Sequence, residues 1–152
     1  MDKVLHRTVR IGCNTERAFE MFTDNKLLAS WFPPEADVEP VVGGKYELFW
    51  DPEDKENNST IGCKVTAVEP GKLVAFEWKG PVQFKEFMNE VDPLTHVVVV
   101  FIPFDEGQNQ STEVHVIHSG WRSTDRWEEA RQFFEWAWDE ELKELKEAVD
   151  KE

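Results

Sequence analysis

Two histidines stand three positions apart in the run Thr112-Glu113-Val114-His115-Val116-Ile117-His118-Ser119, whose β-branched residues and alternation predict a strand. Side chains of a strand alternate between faces, so Val114, Val116 and His118 fall on one side and Glu113, His115 and Ile117 on the other. His115 and His118 therefore cannot share a metal, and no Cys/His cluster or third ligand is placed by spacing elsewhere. His118, on the apolar face, keeps two readings: a core histidine hydrogen-bonded to backbone, or an acid/base or ligand-contacting group whose ordinary pKa lies near neutrality. The second titratable candidate is Glu141. On the helical wheel of the C-terminal run it falls between Trp138 and Leu145 within the apolar face, with Arg131 at the border. A carboxylate there is paired, is reached by water, or takes up a proton. Either the helix has emerged from its packing by that turn and Glu141 stands in solvent, or Glu141 is one of the few polar groups of an interior site.

Other chemistry is excluded by what the sequence lacks. There is no Gly-x-Ser-x-Gly elbow and no Cys/His pairing, so nothing supplies a nucleophile. Cys13 and Cys63 form no Cys-x-x-Cys motif and read as buried free thiols. Gly43-Gly44 opens a strand rather than a helix, which leaves no phosphate-cradling loop. The expectation is a chain with no metal, no cofactor and no catalytic set.

The elements that must position these side chains are short and closely spaced. His6 to Cys13 alternates as a strand; Asn14 looks like a helix N-cap, with Glu16 in the first turn and Ala18, Phe19 and Phe22 at helical spacing. A second short helix, Asn25 to Trp31, ends at Phe32-Pro33-Pro34, because a residue before proline is pushed out of the α region. Strands are predicted over Val38 to Pro40, Lys45 to Trp50, Thr60 to Val68, Leu73 to Trp78, Thr95 to Phe104 and Thr112 to Ser119, with turns at Gly43-Gly44, Pro70-Gly71 and Asp105-Glu106-Gly107. Pro52 to Ser59 reads as a solvated acidic loop, whereas Gly80 to Leu94, with Val82, Phe84, Phe87 and Met88, is apolar enough to hold a short helix or to cover an opening. From Asp125 to Val149 about 25 residues run without Gly or Pro, roughly 37 Å of helix at 1.5 Å per residue, opened by a capping-box pattern at Asp125-x-x-Glu128. Its broad apolar face, Trp127, Ala130, Phe134, Ala137, Trp138, Leu145, Ala148 and Val149, needs a wide apolar surface to lie against. The order of elements gives an α+β domain in which a curved antiparallel sheet wraps one long helix.

Length and charge bound the remaining classes. One domain, residues 1–152, is the expected organisation, and a chain of 152 residues with 40% apolar and 12% aromatic content supports a real core. The 17 Lys and Arg against 31 Asp and Glu leave a net charge of −14, a field that repels phosphate backbones and anionic lipid surfaces alike. Neither nucleic acid nor membrane is expected as a partner. With no apolar h-region in Met1 to Arg7 and no long apolar run, a cytoplasmic location is the expectation.

Taken in order, several landmarks are together more specific than any one alone. They are Asn14-Thr15-Glu16-Arg17-Ala18-Phe19, Trp31-Phe32-Pro33, Gly43-Gly44-Lys45-Tyr46, Gly62 and Val65 before Val68-Glu69-Pro70-Gly71-Lys72-Leu73, Phe76-Glu77-Trp78, and Thr112 to Gly120 ahead of the long helix. In this the chain resembles the START-like (SRPBCC) superfamily, and within it the group similar to the C-terminal domain of the activator of the heat-shock protein 90 ATPase. The resemblance covers nearly the whole chain. It implies the helix-grip fold: about seven antiparallel strands curved around the C-terminal helix over an internal cavity, with two short helices after the first strand. It also places the counterpart of His118 near the cavity rim.

With such a cavity, the aromatic stripes read as pocket walls. Candidate ligand-binding residues are Tyr46, Leu48 and Trp50 on one strand, Cys63 on the next, Phe76 and Trp78, then Val99 and Phe101. Trp31 and Phe32 stand at one end, Phe84 in the cover, and His118, Phe134, Trp138 and Glu141 complete the set. The reading is a binder of a small hydrophobic molecule, cyclic or aromatic, in a monomer or homodimer. Two alternatives stay open: an enzyme using His118 and Glu141 for acid/base work on such a ligand, and a chaperone-associated protein-binding module, which the family's other members imply.

Overall fold

The structure is a computed structural model that describes residues 3–105 and 108–152. Strand β1 (Leu5–Ile11) runs into helix α1 (Thr15–Thr23), where Asn14 Oδ1 accepts the Arg17 N–H at 2.8 Å as the expected cap. Asp24 both ends α1 and starts α2 (Asn25–Leu28), its carboxylate accepting from the Lys26 and Leu27 amides. Strand β2 (Glu35–Val38) lies earlier than the predicted Val38 to Pro40, because Pro40 has no amide to donate and residues 39–44 turn back instead. That turn requires glycine: a Cβ on Gly44 would sit 2.3 Å from the Glu39 carbonyl oxygen.

Strands β3 (Tyr46–Phe49), β4 (Val65–Glu69), β5 (Leu73–Trp78), β6 (Thr95–Pro103) and β7 (Thr112–Ser119) follow. The strand expected from Thr60 starts only at Val65, since Thr60 to Cys63 is a tight turn closed by the Cys63 N–H on the Thr60 carbonyl. Buried Thr60 serves the ladder with its side chain: Oγ1 accepts from the Leu48 amide at 2.9 Å and donates to the Tyr46 carbonyl at 2.8 Å. Of the turn expected at Asp105-Glu106-Gly107, residues 106 and 107 lie outside the described residues.

The strands pair antiparallel in the order β1-β7-β6-β5-β4, with β2-β3 alongside. Hydrogen bonds from Tyr46 N–H to the Cys63 carbonyl, and between Gly44 and Val65, tie β3 to the edge of β4. The result is the expected curved surface of seven antiparallel strands. Between β5 and β6 a single 3₁₀ turn (Val82–Phe84) leads into α3 (Lys85–Met88), the short helix expected in this connection.

Helix α4 (Asp125–Asp150) lies against β1 and closes the concave side. Its cap is Thr124, whose Oγ1 accepts from the Trp127 amide, and the predicted capping box does not form: the Glu128 carboxylate pairs with Arg131 and Lys3 instead. The buried line is Trp127, Ala130, Phe134, Trp138, Leu142, Leu145 and Val149. Leu142 therefore takes the core position that the wheel offered to Glu141. These residues join one hydrophobic cluster that extends from Leu5 through the inward residues of β3 to β7.

Fully burying a large apolar side chain stabilises by about 1.5–3 kcal/mol, and α4 contributes seven buried residues, so its removal exceeds the net stability of a typical domain. Deletion of residues 125–152 should give an aggregated or molten product that binds hydrophobic dyes. A cooperative melt with dispersed amide resonances in the truncated chain would reject this role for α4.

Candidate functional site

The interior is unevenly filled. At one end α1 inserts Phe19 and Phe22, whose rings meet Phe101 edge-on at 6.0 and 5.6 Å, and Tyr46 lies flat on Phe76 at 3.6 Å. The Tyr46 hydroxyl donates to the Phe22 carbonyl at 2.8 Å, so this end is sealed by hydrogen bonding as well as by packing. Between the ends of β3 and β5 and the middle of α4 the filling stops, leaving a cavity of about 250 Å³.

Phe32, Trp50, Trp78, Phe134 and Trp138 form its apolar walls. Phe32 stacks on Trp31 at 4.5 Å and lies near-parallel to Trp78 at 6.1 Å, while Trp50 meets Phe32 and Trp78 edge-on at 5.2 and 6.0 Å. On α4 the positions 133, 137 and 141, spaced i, i+4, i+8, present Phe133, Ala137 and Glu141 to the same space. Ala137 leaves the void. A larger residue there would occupy it. Asn58, Ser59, Lys79, Gly80 and Pro81 complete the rim, and Trp136, 60% exposed, stands at the mouth.

The acidic loop is solvated over residues 53–56, as expected, and its end, Asn57 to Ser59, turns in to knit the rim. Asn58 Oδ1 accepts the Val82 amide at 2.9 Å, and Lys85 Nζ donates to the Glu56 carbonyl and Asn57 Oδ1, each at 2.9 Å. Lys79 Nζ donates to the Ile61 carbonyl at 2.6 Å, and the Ser59 hydroxyl to the Lys55 carbonyl at 2.6 Å.

His118 is fully buried and does not line the cavity. Its Nδ1 accepts from the Trp138 indole N–H at 3.1 Å, which fixes the proton on Nε2, and Nε2 donates to Thr95 Oγ1 at 3.1 Å. Burial, with His96 adding a smaller like-charge effect, pushes its pKa down to about 3. A neutral imidazole with both nitrogens engaged cannot shuttle protons for a ligand it does not touch; its work is to hold Trp138, a cavity wall.

Glu141 is half-buried, lines the cavity, and has no hydrogen bond or ion pair among the described residues. Burial first, then Glu144 and Glu140, push its pKa up to about 7. The Trp78 indole nitrogen is also buried without a partner. Among the described residues no three His, Cys, Asp or Glu side chains gather as a metal site.

Of the fifteen residues expected at a ligand site, Phe32, Trp50, Trp78, Phe134, Trp138 and Glu141 stand together at the cavity. The others do not. Leu48, Phe76, Val99 and Phe101 pack in the filled core with Tyr46, and the Trp31 indole donates to the Met21 carbonyl behind Phe32. Phe84 packs on Phe133 rather than covering the opening. Cys63 is buried outside the hydrophobic cluster; burial pushes its thiol up to about 12, with Lys79, Glu77 and Glu47 the charges acting on it. The rim residues were missed because loops carry no periodicity, whereas Phe133 and Ala137 were legible in the i, i+4, i+8 spacing that ends at Glu141.

The family model described as Activator of Hsp90 ATPase homolog 1-like protein matches residues 13–150. The chain belongs to that family. Among solved structures, a protein from Mesorhizobium loti is 21% identical with a TM-score of 0.75, each chain covering 98% of the other. The Aha1 dimer from Colwellia psychrerythraea is 19% identical with a TM-score of 0.70, covering 97% of this chain and 96% of its own. An HSP90 activator from Plasmodium falciparum is 19% identical with a TM-score of 0.68, over 93% of this chain and 92% of its own. At these identities the likeness is one of fold, and it agrees with the helix-grip expectation. No curated protein matches the chain in sequence.

Two opposite pH dependences follow from the two buried titratable groups. His118, its pKa depressed, contributes stability that is present above about pH 6.5 and lost as pH falls toward 3, because only the unfolded chain takes up the proton. His118→Phe should flatten this acid limb, and at neutral pH cost about 1–3 kcal/mol by orphaning the Trp138 indole. Glu141, its pKa raised, contributes stability present below about pH 4.5 and lost as pH rises through 7. Glu141→Gln should therefore melt above the native protein at pH 8 and coincide with it at pH 4. Melting temperatures of the three proteins from pH 3 to 8 check both, and parallel curves would refute both assignments.

Proposed function

We propose that the chain binds a small hydrophobic molecule in the cavity between α4 and the ends of β3 and β5, and holds it without turnover. The observation that carries this reading is the 250 Å³ space walled by Phe32, Trp50, Trp78, Phe134 and Trp138, with polar groups confined to its rim, to the Glu141 carboxyl and to the Trp78 indole nitrogen. Ligand pockets of about 300–1,000 Å³ take drug-sized molecules, so a space just below that range suits a compact body of one or two rings. Turnover is disfavoured by the roles of the two titratable groups: His118 is spent on Trp138 and Thr95, and Glu141 has no nucleophile beside it. The net charge of −14 and the lack, among the described residues, of a helix long and apolar enough to cross a membrane fit a cytoplasmic carrier or sensor.

A second reading, a chaperone-associated module, is favoured by the family's description alone. Stimulated ATPase of a co-purified heat-shock chaperone would support it, with the dimeric Colwellia protein as the precedent for testing self-association.

The test of the first reading is binding to the whole chain. A panel of one- and two-ring apolar compounds should perturb tryptophan emission saturably and raise the melting temperature, by about 2.7 kcal/mol of stabilisation at 100 times Kd. Ala137→Phe, which fills the cavity from a half-buried position, should weaken binding by about tenfold or more while the protein still folds. No binding by any member of the panel, or equal affinity in a well-folded Ala137→Phe protein, would overturn it.

A further inference from the structure

We infer that the occupant of the cavity carries a cationic nitrogen, an alkylated ammonium on a compact apolar body, seated against Glu141 and the faces of the tryptophans. This rests on the proposed binding role and names the class of molecule that the same site selects.

The charged groups of the lining argue for it. The Ser59 hydroxyl is spent on the Lys55 carbonyl and Asn58 Oδ1 on the Val82 amide, and the lining's remaining neutral donor, the Trp78 indole N–H, carries no charge to select a guest. Lys79, the cation at the rim, is tied to the Ile61 carbonyl. Nearby Arg126 is engaged with Glu129 and Glu86, and Arg131 with Glu128 and Glu135. Glu141 alone among the charged lining groups is half-buried with no partner, and exposed Glu140 follows it along the rim. A neutral apolar guest would desolvate the Glu141 carboxylate further and return nothing, while an anion would meet two carboxylates. A cation relieves the desolvation and pairs the charge.

The walls favour the same guest. Indole faces carry negative quadrupole potential, and rings converging from several directions are the arrangement that recognises quaternary ammonium groups. Trp50 meets Trp78 edge-on at 6.0 Å and Trp78 is tilted on Trp138 at 5.4 Å; Trp78 and Trp138 are nearly buried, so the indole surface open to a guest is that of half-buried Trp50 and exposed Trp136. The whole-molecule charge of −14 draws cations toward the mouth. Binding a cation holds Glu141 ionised against Glu140 and Glu144 of α4; Lys79, just past β5, shares the lining and donates to the Ile61 carbonyl. Affinity should accordingly rise with pH through neutrality, with release of a proton on binding.

The test compares benzyltrimethylammonium with its uncharged carbon isostere neopentylbenzene, on the native protein, Glu141→Gln and the control Glu147→Gln, which removes a charge from the exposed side of the same helix. Thermal shift and tryptophan indole N–H resonances report affinity and location. The expected result is a preference for the cation of about tenfold or more in the native and Glu147→Gln proteins, falling close to one in Glu141→Gln. If both compounds bind equally, or the isostere binds better, the cationic assignment is wrong while the cavity reading stands. An undiminished preference in Glu141→Gln overturns the role of that residue. If neither compound binds and the apolar panel is also silent, the binding role itself fails, and this inference with it.

Discussion

The indole of Trp138 donates a hydrogen bond to an imidazole with no exposed surface, and that imidazole donates onward to the buried hydroxyl of Thr95. The chain joins α4 to β7 and β6 at the centre of the molecule. Hydrophobic attraction between helix and sheet is non-directional and would tolerate a helix turned by a fraction of a residue. A directional bond between buried groups does not, since breaking it leaves a donor and an acceptor dry and unpaired. Turning α4 by one position, about 100°, would carry Trp138 off the histidine and exchange Leu142 for a charged neighbour. The register that puts Ala137 and Glu141 at the cavity is thus set by a pair of groups just behind its wall.

With α4 fixed, the cavity arises from where large side chains are and are not supplied. The first helix delivers Phe19, Met21 and Phe22 to the end nearest Phe101 and Tyr46, and these fill it to contact distance. No element delivers a comparable set to the other end. Phe32, carried by the turn after α2, and Trp50, just beyond β3, reach in from the side, and Ala137 is the small residue between the larger Phe133 and Glu141. Trp78, Phe134 and Trp138 are nearly as buried as the rings of the filled end, and the ring surface left at the cavity is that of half-buried Phe32, Trp50 and Phe133 and of exposed Trp136.

The sequence carried the frame well and depth poorly. The bounds of β5 and β7, and those of α4 to within one residue, follow from β-branched alternation and from a long run free of Gly and Pro. Alternation also placed Val114, Val116 and His118 inward. It could not separate Trp78, at the cavity, from Phe76, in the filled core two residues earlier, because a period of two reports the face and not the distance along the interior. Cys63 was misplaced for a different reason: Gly62 adopts a left-handed φ of +86°, the tight turn interrupts the alternation, and the thiol ends outside the core cluster. The state of His118 depended on Trp138, twenty residues away in sequence, which no local pattern reports.

The interior therefore holds two ionisable groups with opposite fates. Burial disfavours charge on both, but His118 in its uncharged form finds a donor and an acceptor and is complete. Glu141 in either form finds nothing among the described residues. A polar group that is complete adds rigidity and no recognition, whereas an incomplete one at the wall of a cavity is a standing preference for whatever completes it. Catalysis by this pair would need both to reach a reacting atom within about 3 Å, and His118 does not reach the cavity at all. The histidine is complete and holds the wall, whereas the carboxyl that faces the space has no partner, so the two groups cannot act on one reacting atom.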